Sequence, residues 1–249
     1  MDTPLHRPLF VWRWAERLFG TTVKKEERGI VAWLALDLFI LLTVYYILKI
    51  VREPLILLEG GVVSRNAARG AQAVVLLGMV PAYSYFANRF PPRRLVTAVM
   101  GFFLASLLMF PVLALLHVPL GFAFFVWLGI FSITAIAQFW SLANDLFTEE
   151  AGKRLFPVIA AGATVGAIVG SQIVVLTSHL LPPSGFILVA AVLLALCILI
   201  THLARRAAER LPATPHNGPT PDPRGGFRLV FSDRYLLLMG MAMANTPNA

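Results

Sequence analysis

Residues 70–88 and 95–116 contain no charged side chain. An α-helix rising 1.5 Å per residue needs about 20 such residues to cross a bilayer core of about 30 Å. Runs of the same kind occupy 119–144, 155–181 and 184–204. A sixth, 30–58, is apolar apart from Asp37, Lys49, Arg52 and Glu53. The chain is therefore expected to be an all-α membrane protein with six spans between residues 30 and 204. Composition points the same way. Of 249 residues, 58% are hydrophobic and 14% are charged, against about 25% charged in a soluble domain. That leaves too little charge to cover a surface in water.

The formal charge is +8. A basic chain can bind nucleic acid, but here Lys and Arg gather at the ends of apolar runs, so the expected partner is a bilayer and not a nucleic acid. The arm at 1–29 carries Arg7, Arg13, Arg17, Lys24, Lys25 and Arg28. Arg89, Arg93 and Arg94 follow the second run, Lys153 and Arg154 the fourth, and Arg205, Arg206, Arg210, Arg224, Arg228 and Arg234 the sixth. The opposite side receives only Arg65 and Arg69. The positive-inside rule then places the N-terminus in the cytoplasm. No compact apolar core with a cleavage site marks a removable leader. Within the arm, residues 9–19 read as an amphipathic surface helix, with Trp12 and Trp14 at headgroup level.

Past residue 204 the chain turns polar and rich in Pro and Gly, as expected of a cytoplasmic linker over 205–234. The apolar stretch 235–244 is too short to span. Residues 235–249 are thus expected to be the start of a seventh helix cut short. Six spans, a long linker and a further helix start describe half of a twelve-helix carrier built from two six-helix bundles.

No P-loop, HExxH, GxSxG or metal-spaced Cys/His set is present. The single cysteine, Cys197, lies in an apolar run and excludes a disulfide framework. Neither enzyme chemistry nor a cofactor is expected. The informative residues are charges inside apolar runs, which cost several kcal/mol unless they face a bundle interior, water or a partner. Tyr45 and Lys49 are four apart, and Lys49, Arg52 and Glu53 follow at i, i+3 and i+4, all on one helical face. They read as a substrate path for an anionic small molecule. Lys49 and Arg52 would attract it, Tyr45 and Tyr46 would stack or hydrogen-bond, and Glu53 would temper the charge. In the other reading the helix ends near Lys49 and the remainder snorkels at the outer interface. Asp37 lies about 18 Å from Lys49 along the helix, beyond direct pairing.

Gly162, Gly166 and Gly170 recur every fourth residue, flanked by Ala163 and Ala167. Small residues let helices approach closely in lipid, so this ridge is expected to pack against another helix, with the second half of a carrier as one candidate. Between the fourth and fifth runs, Thr148 is placed to cap a helix whose first turn holds Glu149 and Glu150. Glu149–Lys153 and Glu150–Arg154 are i, i+4 pairs with the acid first. Asp145 is left over. It is expected to pair with Arg89, Arg93, Arg94 or Arg154 as a latch of the inward-closed state.

Two segments carry a family resemblance. FWSLANDLFTEEAGKRLFPVIAAGATVGAIVGS, 139–171, with YILKIVREPLI in the first run, closely resembles the ATP/ADP-translocase-like nucleotide transporters, a group of major-facilitator-like carriers. ANRFPPRRL, 87–95, is similar to the basic loop that major facilitator carriers place between helices two and three, with Asn88 where an acid is usual. The resemblance covers about residues 36–237. It implies the N-terminal six-helix bundle of a twelve-helix transporter in a bacterial inner membrane. It also implies an organic anion as substrate, with ATP or ADP as the nucleotide case, and Lys49, Arg52 and Glu53 in the family's helix-one positions. One departure narrows this: WLGIFSITAIAQ, 127–138, lacks the acid that ATP/ADP exchangers carry there, which places the chain nearer the broader bacterial branch. The alternatives are a non-transporting membrane anchor or sensor module, or an inactive truncated fragment.

Overall fold

The computed structural model describes residues 23–24, 26–89 and 92–208, with side chains described up to 79 and again from 96 to 206. Five helices follow in order: α1 (Arg28–Arg89), α2 (Pro92–Leu115), α3 (Gly121–Leu146), α4 (Glu149–Thr177) and α5 (Pro183–Ala208). Among the described residues there is no strand. All five helices are long and apolar enough to cross a membrane. The expected surface helix at 9–19, most of the 205–234 linker and the 235–249 segment lie outside the described residues.

The polar stretch 59–69, between the apolar runs 30–58 and 70–88, is helical on both sides of a single residue. Two helices meet at Gly61, whose φ of 63° and ψ of −159° are the only non-helical values inside the 62-residue stretch α1. Glycine has no Cβ to oppose a positive φ, and one such residue redirects the chain while its polar neighbours stay helical. Hydropathy falls over 59–69, but helix formation does not depend on hydropathy.

Contacts with α3 show the effect of Gly61. Leu55 and Ile56 lie against Gly121, Arg52 lies over Phe125, and Leu41 shares a cavity with Gln138. The arm 28–60 thus runs antiparallel to α3. Beyond Gly61, Ala68 packs with Phe125, Gln72 lies on Gly129 and Met79 Sδ meets Thr134. The arm 62–89 therefore runs parallel to α3, so the chain reverses direction at Gly61.

The first arm of α1 is the hub. It packs against α3, α4 and α5. Towards α5 it is antiparallel, with Asp37 beside Cys197 and Thr201 and Leu55 near Pro183 and Ile187. Between α2 and α3 the core is aromatic. Phe103, Phe124 and Phe131 are fully buried. Trp127, half-buried, stacks on Phe131 with centroids 5.4 Å apart, and its indole N–H donates to Ser106 Oγ at 2.9 Å, the kind of partner an indole facing a core finds.

Candidate functional site

The predicted cation stripe lies below the Gly61 turn, on a helix that does not end near Lys49 but continues past it. Lys49 Nζ sits 5.8 Å from the Tyr45 ring centroid and 5.1 Å from that of Tyr46, within cation–π range. One turn on, the Arg52 guanidinium lies 4.0 Å above the Phe125 ring of α3. Its Nη2 donates to Glu53 Oε1 at 2.6 Å. The other Glu53 oxygen lies 3.7 Å from Nη1 of Arg65, on the second arm. Folding thus brings Arg65, which hydropathy assigned to an outer loop, onto the predicted stripe. The Nε atoms of Arg52 and Arg65 are both buried and have no acceptor among the described residues. Lys49, Arg52 and Arg65 set three positive charges against one Glu53 carboxylate, with donor capacity left over for an oxyanion.

Beside this cluster, Glu59 accepts hydrogen bonds from Leu120 N at 2.9 Å and Gly121 N at 2.5 Å. Leu120 is the N-cap of α3 and makes no side-chain cap bond itself. A carboxylate from α1 therefore caps α3, and the positive end of the α3 dipole favours it there.

The glycine ridge packs within the bundle, against α1. A Cβ on Gly162 or Gly166 would overlap the carbonyl oxygen of Ala35 or Phe39, and one on Gly170 would lie 2.6 Å from that of Thr43. Thr43 Oγ1 also reaches the Gly166 carbonyl at 3.2 Å. The two helices run parallel in a fixed register, which reaches back to the charged turn. There Arg154 Nη2 lies 2.8 and 2.9 Å from the two Glu27 carboxylate oxygens, 127 residues away, the same offset as along the ridge. Glu27 is a partner that helical spacing could not indicate. The expected cap is present, with Thr148 accepting from Ala151 N, and so is the Glu149–Lys153 pair at 2.7 Å. Asp145 is exposed. Of its expected partners, Arg154 lies on Glu27, and the side chains of Arg89, Arg93 and Arg94 lie outside the described residues.

A second polar group lies in the interior, where only Asp37 had been noted, as a charge too far from Lys49. Asp37 is 2% exposed and Gln138 is 2% exposed. Asp37 Oδ1 accepts from Cys197 Sγ at 3.1 Å and Oδ2 from Thr201 Oγ1 at 2.9 Å. Both amide atoms of Gln138 lack a partner among the described residues. These residues line one cavity of about 20 Å³, with His202 and Arg205 also on its wall. Among the described residues, no group of three or more His, Cys, Asp or Glu could hold a metal ion.

No known protein family, curated protein or solved structure matches the chain.

Proposed function

We propose that the chain forms a six-span bundle of a secondary carrier for an organic anion, a nucleotide being the leading case. The Gly61 reversal supports this reading, since it divides α1 into two arms that are each longer than the roughly 20 residues a span needs. A second bundle would rock against this one in alternating access, with the substrate held between them. The observation that carries the proposal is the pair of buried, acceptor-free Arg52 and Arg65 Nε–H groups around Glu53. A guanidinium offers a planar fork to phosphate or carboxylate oxygens, while Lys49 adds a point charge. Glu53 would hold the two guanidinium groups in place until substrate oxygens compete for them. The likeness of 139–171 and of the helix-one residues to ATP/ADP-translocase-like carriers favours a nucleotide.

The test is uptake of labelled ATP, ADP and simpler phosphate esters or dicarboxylates into proteoliposomes holding the intact gene product. Lys49→Ala and Arg52→Ala are expected to weaken uptake sharply. Arg52→Lys should not restore it, because the fork is lost. Unchanged uptake in these variants at normal expression would overturn the assignment.

A further inference from the structure

We propose that Asp37, Thr201, Cys197 and Gln138 form a proton-binding site in the core of the bundle, whose loading and release accompany the transport cycle. The coupling clause rests on the carrier reading above; the site itself does not.

Thr201 supplies the main argument. Its hydroxyl has one hydrogen and two acceptors in reach, Asp37 Oδ2 at 2.9 Å and the Cys197 carbonyl at 3.0 Å. With Asp37 ionised, the hydroxyl donates to the carboxylate. When a proton from water adds to Oδ2, the new O–H donates to Thr201 Oγ1, and the threonine turns its own hydrogen to the Cys197 carbonyl. A hydroxyl can be donor and acceptor at once, so both states are satisfied without moving a heavy atom. Asp37 Oδ1 keeps its thiol donor throughout.

The surroundings favour a proton over a metal cation. A sodium- or calcium-like ion needs a shell of oxygen ligands. Here the cavity has room for about one water, and the positive Arg205 lies on its wall. Gln138 faces the cavity with an amide that can both donate and accept, which suits a water that hands on a proton. The other groups that bear on Asp37 are few. α5 brings Cys197, His202 and Arg205, α3 brings Gln138, and α2 brings Thr97. The charges of α4 are confined to its first turns, at Glu149, Glu150, Lys153 and Arg154. An ionisable group inside a span is by default a functional one, and this one joins α1 to α5.

Cys197 is the one cysteine of the 249 residues, so its S–H stretching band is a built-in reporter. In reconstituted protein the band is expected to shift with pH as Asp37 changes from carboxylate to acid. Asp37→Asn should abolish the shift, and His202→Gln should leave it. A band that ignores pH, or one that follows His202 and not Asp37, overturns the site. If Asp37→Asn does not fold, Thr201→Val serves, because removing the hydroxyl must move the titration midpoint; an unmoved midpoint also overturns it. Flux then tests the coupling. An inward pH gradient should speed anion uptake several-fold, and in Asp37→Asn the ratio of flux with and without the gradient should fall to one. A ratio that stays at its wild-type value overturns the coupling. Absence of any anion uptake by the wild-type protein defeats the carrier reading instead, and the thiol band still reports the site.

Discussion

A methyl group on Gly166 would overlap the main-chain carbonyl oxygen of Phe39. At this point α4 and α1 touch backbone to backbone, and the glycine hydrogen in the Cβ position is directed at the carbonyl, as in weak Cα–H···O contacts between helices. Alanine at Gly162 or Gly166 must push the helices apart, and overpacking of this kind costs about 1–3 kcal/mol. Gly78 is a matched control: a Cβ there meets nothing within 4 Å among the described residues, so Gly78→Ala should be neutral or gain up to about 1 kcal/mol in helix propensity. Unfolding of the three variants in micelles checks the contrast. Equal stabilities would show that the seam is not tight.

The same register sets Arg154 against Glu27, with side chains 26% and 18% exposed. Partial burial and contact with both carboxylate oxygens should raise this pair above an ordinary surface pair. A double-mutant cycle with Glu27→Gln and Arg154→Gln is expected to give a coupling of about 1 kcal/mol. The exposed Glu149–Lys153 pair should give no measurable coupling. Reversed ranking would mean that the α1–α4 register does not depend on this contact.

These relationships divide by how far they reach along the chain. Helix positions were legible, because apolar runs of span length have few alternatives in lipid. Their ends were not legible from hydropathy alone. The apolar run alone would start α4 at 155, and it was the cap signal, Thr148 followed by Glu149 and Glu150, that marked the true start at Glu149. The gap at 59–69 is the converse case: hydropathy falls over it, while the turn itself occupies Gly61 alone. The stripe from Tyr45 to Glu53 was visible as one helical face, but Arg65 reaches it only after the chain reverses. Asp37 and Cys197 are 160 residues apart, and no local period relates them. The one available signal was an acid inside an apolar run.

Glu59 offers a cleaner test of long-range capping. It accepts from two main-chain N–H groups at the start of α3, where Leu120 provides no side-chain cap. Losing a cap costs about 0.5–2 kcal/mol, so Glu59→Ala should destabilise by about that much. Glu59→Gln keeps one acceptor oxygen and should lose less. If hydrogen exchange at Leu120 and Gly121 is no faster in Glu59→Ala, the carboxylate is not holding those groups.

His117 is the only non-glycine residue with positive φ among the described residues, at 57°. It ends α2 in a Schellman arrangement, with Val118 N bonded to the Leu113 carbonyl at 3.3 Å and His117 N to that of Ala114 at 3.1 Å. That motif puts its left-handed residue at the position glycine usually fills, and a side chain there costs about 1–2 kcal/mol. Glycine also loses more entropy on folding, which offsets part of the gain. His117→Gly should therefore stabilise the protein by about 1 kcal/mol, seen as a higher unfolding midpoint in micelles. His117→Val, branched at Cβ, should lower it. If glycine lowers the midpoint instead, the imidazole makes a contact worth more than the relief of backbone strain.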